Sequence, residues 1–192
     1  MKIERVFDRG GQILVLVAAT ACVALPEASH AMPLFMSFGA GSVGDISADG
    51  SFVTGSISTG SGNQVFRWSH ATGIQVIGGI GGSNPYATGI SSDGNTIVGG
   101  GQFAGSSVGA RWTASGGWVS LGDLPGSIVQ STGIDVSADG RYATGTGLSF
   151  SGREVYRWDA TTSTMTGLGD LPGGSFGSFA SAMSDDGRSI VG

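Results

Sequence analysis

The fold of this chain is decided by residues 137–158, which read SADGRYATGTGLSFSGREVYRW. The same pattern occurs in full at residues 47–68 and 91–112, and a fourth copy occupies residues 184–192. The Asp-Gly glycines of the four copies are 44, 46 and 47 residues apart. In each complete copy, 18 residues separate that glycine from the tryptophan. This constant spacing identifies an internal repeat of about 45 residues.

Each repeat is predicted to contain four short strands. The Asp-Gly pair joins the first two, because Asp accepts local backbone hydrogen bonds and Gly takes the positive φ of a tight turn. The third strand carries Tyr156-Arg157-Trp158 in the third repeat, and alternation puts Tyr156 and Trp158 on one face and Arg157 on the other. The fourth strand leads into Gly-Asp-Leu-Pro-Gly, found at residues 122–126 and 169–173.

These features predict an all-β chain of tandem four-stranded antiparallel units, with the period of a β-propeller blade. The propeller is expected to be partial, that is, unclosed or truncated. The repeat domain is predicted at residues 35–192. It is divided into an outer strand at 35–39, unit one at 44–82, unit two at 87–126, unit three at 132–174 and a half unit at 180–192.

The first 31 residues are predicted to be a cleaved signal peptide. Basic residues precede an apolar run at residues 13–25, which is shorter than a membrane-spanning helix, and Ser29-His30-Ala31 has a small-x-small cleavage pattern. The alternative is a lipoprotein anchored at Cys22. The mature chain is therefore expected to be secreted, at the cell surface or in the periplasm, with no transmembrane segment.

The composition after residue 31 excludes several classes of function. The mature chain lacks cysteine, which rules out disulfides and thiolate metal sites. It has six arginines, no lysine and eleven carboxylates, so the basic surface that nucleic acid binding requires is missing. No cofactor is predicted.

The repeat motifs also carry a resemblance to a known family. Residues 168–176 read LGDLPGGSF, and together with the Ser-Ala-Asp-Gly turn and the Arg-Trp pair they resemble the HAF-family extracellular repeat over about residues 35–192. This resemblance implies a secreted or surface protein of bacteria. The family offers no established catalytic residues.

No catalytic residue is predicted. Residues 39–44 match G-x-G-x-x-G, but a strand rather than a helix is expected after them. Two strings, at residues 105–109 and 173–177, match G-x-S-x-G, but His70 is the only histidine of the mature chain and is expected in an exposed turn. The Asp-x-Ser-x-Asp-Gly stretches are interpreted as hairpin turns, so no metal site is predicted. Calcium is the alternative there, with these candidates: Asp45, Asp49, Asp135 and Asp139.

The recurring residues are predicted to be structural. They are the Asp-Gly pairs and the Arg-Trp pairs of the three repeats: Asp49, Gly50, Arg67, Trp68, Asp93, Gly94, Arg111, Trp112, Asp139, Gly140, Arg157 and Trp158. Each arginine is expected to pair with an aspartate, first among them Asp49, Asp93 or Asp139, or to stack on an aromatic ring of the next blade.

The sequence predicts a non-enzymatic secreted scaffold that belongs to the cell surface or extracellular matrix. Its ligand, carbohydrate or a surface protein, is expected at the variable stretches 58–64, 101–108 and 148–153, interpreted as loops. The alternative is part of a secreted propeller hydrolase or lyase with a site in the central channel.

Overall fold

The computed structural model describes residues 6–7, 13–14, 41–126 and 128–192. The chain divides into two compact units, Met1–Met36 and Ser37–Gly192. In the first unit, β1 (Val6–Phe7) pairs antiparallel with β2 (Ile13–Leu14). The rest of the predicted signal peptide, and the outer strand expected at 35–39, lie outside the described residues.

The second unit contains three consecutive four-stranded antiparallel sheets and one two-stranded sheet. Blade one is β3 (Gly41–Ile46), β4 (Phe52–Thr59), β5 (Gly62–Ser69) and β6 (Gly73–Gly78). Blade two is β7 (Ser83–Ile90), β8 (Thr96–Phe103), β9 (Ser106–Thr113) and β10 (Gly117–Ser120). Blade three is β11 (Ser131–Val136), β12 (Tyr142–Ser149), β13 (Gly152–Asp159) and β14 (Thr164–Gly167). The half-blade is β15 (Ala182–Met183) and β16 (Ile190–Val191).

This architecture confirms the predicted all-β fold of tandem four-stranded units. Within each blade the strands pair in chain order, and the sheets do not close into a ring in the described part of the chain. The register repeats as well. Trp68, Trp112 and Trp158 stand opposite Val53, Ile97 and Ala143, respectively. None of the described residues forms a helix long and apolar enough to cross a membrane.

The Asp-Gly motif forms the turn between the first two strands of each blade, as predicted. In blade two the amide of Gly94 donates to the carbonyl of Ser91 at 2.9 Å, and Gly94 has a φ of 64°. The carboxylate of Asp93 accepts hydrogen bonds from the Ser91 hydroxyl and the Asn95 amide. Glycine suits this position because other residues are strained at positive φ.

The hydrophobic core lies between the blades. One buried cluster, at the junction of blades one and two, contains Val65, Ala87, Ile90 and Ile97. A second, between blades two and three, contains Val98, Leu121, Leu124, Val136, Ala143, Tyr156 and Trp158. The first strands of successive blades contact one another, which places them innermost. Because the apolar residues are buried by the neighbouring sheet, each blade depends on its neighbours for stability.

The stretches 58–64, 101–108 and 148–153 are not loops, which corrects the prediction from the sequence. The second and third strands run through them and leave only two-residue turns at 60–61, 104–105 and 150–151. In blade two the turn is Ala104-Gly105, with φ of 50° and 83°. Two successive positive φ angles are those of a type I′ hairpin turn, which matches the twist of the flanking strands.

Candidate functional site

The Asp-Gly glycines contact the preceding blade, a role that the sequence did not reveal. A Cβ atom added to Gly94 would lie 2.4 Å from the ring of Phe52 in blade one. A Cβ atom added to Gly140 would likewise lie 2.4 Å from the Thr96 hydroxyl, and one added to Gly187 would lie 2.4 Å from the Tyr142 ring. Both side chains belong to the preceding blade. The glycine therefore serves both the turn and the close approach of two blades.

The repeated arginines hold the same junction. The Nε atom of Arg67 donates to the Gly94 carbonyl at 2.6 Å, and an Nη atom of Arg111 donates to the Gly140 carbonyl at 3.0 Å. The expected pairing with Asp49, Asp93 or Asp139 is wrong, because these carboxylates are occupied within their own turns. Among the described residues, ion pairs join only Arg141 to Asp159 and Arg188 to Asp186.

Stacking on an aromatic ring of the next blade is correct for Arg111, whose guanidinium lies 5.7 Å from the Trp158 ring. Arg67 and Arg157 instead lie over rings of their own blade, Phe52 at 4.3 Å and Tyr142 at 3.8 Å. The difference has a local cause, since blade two has Thr96 where the other blades have Phe52 and Tyr142. Arg111 hydrogen-bonds that threonine at 3.3 Å and reaches the following blade for its aromatic contact.

Two of the calcium candidates, Asp45 and Asp135, link neighbouring blades. The Asp45 carboxylate accepts the amides of Ile46 and Ile90, and Asp135 accepts those of Val136 and Met183, at 2.7 to 2.9 Å. Burial raises the pKa of Asp45 above its ordinary value, and the charge of Asp135 adds to the rise. Backbone amides, which lower it, offset part of this effect.

The other two calcium candidates, Asp49 and Asp139, accept hydrogen bonds within their own Asp-Gly turns. Hydrogen bonds from the Ser51 hydroxyl and amide and from the Ser47 hydroxyl lower the pKa of Asp49 to about 2. Asp139 similarly accepts the Ser137 hydroxyl and the Arg141 amide. In the described residues, no three His, Cys, Asp or Glu side chains gather in a way that could hold a metal ion.

For one buried polar residue, Tyr156, the sequence predicted the strand face but not the hydrogen-bond partner. The side chain of Tyr156 is fully buried between blades two and three, and its hydroxyl donates to the Thr132 carbonyl at 2.8 Å. Burial raises the pKa of this phenol strongly. The signal available in the sequence was its place in the third strand, where blades one and two have Phe66 and Ala110.

The residues flagged by enzyme-like strings lie in ordinary structure. Residues 41–44 of the G-x-G-x-x-G string belong to β3, and residues 106–109 of the first G-x-S-x-G string belong to β9. His70 is exposed in a turn, as predicted. These placements give neither string the strand-to-helix turn that its chemistry requires.

Several exposed apolar residues lie at one end of the blades. The hairpins between second and third strands and the connections between blades all lie at this end, which we call the loop end. Hydrogen bonds join the two kinds of segment there, as between the Phe150 amide and the Pro125 carbonyl. Eight large apolar residues are exposed there: Phe103, Ile128, Val129, Phe150, Leu168, Leu171, Phe176 and Phe179. The exposed fraction reaches 81% for Phe150 and 85% for Leu171.

The chain resembles solved β-propeller structures. A TolB structure from Acinetobacter baumannii matches with a TM-score of 0.55 and 18% identity, over 76% of this chain and 35% of that one. A protein described as TolB from Agrobacterium tumefaciens matches with a TM-score of 0.51 and 20% identity, over 66% and 45% of the two chains. A structure from a study of two prolyl endopeptidases has a TM-score of 0.45 and 17% identity, over 87% and 25%.

The chain thus spans less than half the length of each of these structures. No protein-family model matches the chain, and no curated protein matches it. At these identities the likeness to the two TolB structures shows the fold alone: this chain is an open array of β-propeller blades.

Proposed function

We propose that this protein is a non-enzymatic repeat scaffold, secreted or held at the bacterial surface or in the extracellular matrix, that binds a ligand at the loop end of its blades. The ligand class is a carbohydrate or a surface protein. The HAF-like repeat motifs and the predicted signal peptide support the location. The observation that carries the binding role is the exposure of Phe103, Phe150 and Leu171 at one end of the array.

Exposed aromatic side chains at hairpin tips support binding for an energetic reason. Covering an exposed phenylalanine with a partner lowers the free energy, because apolar surface leaves water. Large exposed apolar residues on one surface are typical of interaction sites. Phe103 is the last residue of β8 and precedes a tight turn. Phe150 follows β12 and is the first residue of a tight turn. Their backbone is thus fixed before a ligand arrives, which lowers the entropy cost of binding.

The alternative, a hydrolase or lyase with a site on the innermost strands, finds less support in the geometry. The carboxylates of Asp45 and Asp135 are the acidic groups of those strands, and both accept backbone amides that link blades. A general acid or base needs a carboxylate that can exchange a proton with a substrate. Asp45 and Asp135 instead use their carboxylates to hold the backbone of the following blade.

Binding can be tested with the labelled full chain on a glycan array and on intact bacterial cells, with and without protease treatment. The double variant Phe103→Ser/Phe150→Ser should lose at least about tenfold in affinity, because aromatic anchors dominate binding energy. Val119→Ser is the matched control, since Val119 is exposed on β10, the outer strand of blade two. Retained binding by the double variant, or equal loss by the control, would refute the loop-end site.

A further inference from the structure

Blade two carries a cleft at the end of the sheet that holds the Asp-Gly turn, opposite the loop end. The cleft has a volume of about 440 Å³ and lies where β8 begins and β9 ends. Five residues line it: Asn95, Thr96, Thr113, Ala114 and Ser115. Blade two is the central blade, with a complete four-stranded sheet on each side of it. We call this opening the blade-two cleft.

The residue at the base of the cleft differs among the blades. Phe52 and Tyr142 occupy the position of Thr96 in blades one and three, two residues after the Asp-Gly glycine. Their rings lie under the arginines of their own blades, Arg67 and Arg157. Thr96 has no ring, so it leaves open the space that a ring would occupy.

The polar residues around the cleft differ as well. In blade three, Arg141 and Asp159 occupy the positions of Asn95 and Thr113, and they form an ion pair at 3.0 Å. Their hydrogen-bonding groups are therefore used on each other. In blade two the equivalent residues are uncharged, and Asn95 and Thr113 make no hydrogen bond with each other.

The hydroxyl groups of the cleft retain unused donors. Thr96 and Thr113 are paired across β8 and β9. The Thr96 Oγ1 atom accepts a hydrogen bond from an Nη atom of Arg111 at 3.3 Å, and the Thr113 Oγ1 atom accepts the Gly116 amide at 3.0 Å. Neither O–H group has an acceptor among the described residues, and the Ser115 hydroxyl has no partner among them.

The remaining lining residues define the chemistry of a ligand. Asn95 donates from Nδ2 to Asp93 at 2.9 Å, which leaves its Oδ1 atom as an acceptor. The methyl groups of Ala114 and of the two threonines supply small apolar surfaces beside these polar atoms. No charged side chain lines the cleft, so a charged ligand would lose hydration there without gaining an opposite charge. A sugar ring combines hydroxyl groups at its edge with C–H groups on its faces, which suits such a lining.

We propose that the blade-two cleft binds a neutral saccharide. Thr96, Thr113 and Ser115 donate to sugar oxygens, and Asn95 accepts from a sugar hydroxyl. The volume lies within the range of about 300–1,000 Å³ that is usual for small-ligand sites. This site is separate from the loop end and binds whether or not the loop end holds a ligand.

The test fills the cleft with the ring that the other blades carry. Thr96→Tyr should fold, because Phe52 and Tyr142 fit the same position, and its ring should occupy the cleft. The probes are four neutral disaccharides, maltose, cellobiose, lactose and chitobiose, measured with the full chain by saturation-transfer NMR and calorimetry. Wild type should bind at least one of them with a Kd of about 1 mM or lower, and Thr96→Tyr should raise that Kd at least about tenfold.

Thr113→Val tests the site without filling it, since it removes one hydroxyl at nearly constant volume and should raise the Kd about threefold. Val119→Ser is the matched control, because Val119 is exposed on the same blade outside the lining. The loop-end variant Phe103→Ser/Phe150→Ser should bind the disaccharides as wild type does, which separates the two sites. The proposal is overturned if none of the four probes binds, if Thr96→Tyr and Thr113→Val bind as wild type does, or if only the loop-end variant loses binding. Circular dichroism verifies that each variant is folded.

Discussion

Replacing Gly94 by alanine tests the double role of the Asp-Gly glycine. Gly94 has a φ of 64°, and a Cβ there would lie 2.4 Å from the Phe52 ring of the preceding blade. Gly50 offers an internal control. It has a similar φ of 74°, but its nearest atom would be the end of Ile46 at 4.0 Å. The two substitutions share the backbone strain and differ in the blade contact.

The expected costs follow from these distances. An alanine at positive φ loses roughly 1–2 kcal/mol, which is all that Gly50→Ala should cost. Gly94→Ala adds the displacement of a packed ring, and overpacking costs about 1–3 kcal/mol more. The free energy of unfolding should thus fall by about 2–5 kcal/mol in Gly94→Ala, a large share of the ~5–15 kcal/mol typical of a domain.

Urea unfolding of dilute protein, followed by tryptophan fluorescence, gives both values by linear extrapolation. A cycle with Phe52→Ala isolates the contact, because removing the ring should make the added methyl group at Gly94 cheaper. Equal losses for Gly50→Ala and Gly94→Ala, or additive effects of Phe52→Ala and Gly94→Ala, would refute the blade contact and leave the turn as the only role of this glycine.

Three further predictions concern single side chains. Tyr156→Phe should destabilise the fold by about 1–3 kcal/mol in urea unfolding, because the partly buried Thr132 carbonyl loses this donor; an unchanged midpoint would contradict this. Arg157→Met should lower the melting temperature through loss of its contact with the Tyr142 ring, and Arg67→Met should lower it further, since Arg67 also donates to Gly94; the reverse order would be evidence against the junction described. The pKa of Asp49 is lowered from 3.8 to about 2, so its stabilising contribution is full above 3.8 and disappears as the pH falls through about 2; Asp49→Asn should reduce the dependence of the melting temperature on pH in this range, and an unaltered dependence would contradict the lowered pKa of Asp49.

The sequence predicted the fold well because the repeat contains its own register. The constant distance from Gly94 to Trp112 and from Gly140 to Trp158 defines which strands pair, and the observed ladders have this register. The prediction failed where glycine-rich segments were interpreted as loops. Glycines 99 to 101 lie in β8. Gly99 and Gly100 must be glycines because neighbouring strands pass too close for a side chain; an added Cβ at Gly99 would lie 2.0 Å from the Tyr86 carbonyl.

The contacts between blades could not be predicted from the local sequence pattern. Arg67 seemed to require an aspartate, but it contacts the Phe52 ring and donates to the Gln75 side chain and to the carbonyl of Gly94, 27 residues away. Carbonyl groups are present at every residue, so the sequence does not mark the one that an arginine will use. The loop end was predicted only as a set of variable stretches, since the exposure of Phe103 and Phe150 depends on the tight turns that the fold imposes.

The placement of the core between blades has a consequence for how the chain opens. The central blade is covered on both sides, whereas the half-blade has one covered side and two short strands. Stability in such an array is a sum of neighbour contacts, so local opening should be most frequent in the sheet that its neighbours cover least. Amide hydrogens of β8 should therefore exchange with solvent most slowly and those of β16 fastest, because β16 can open locally without the cooperative unfolding of the blades.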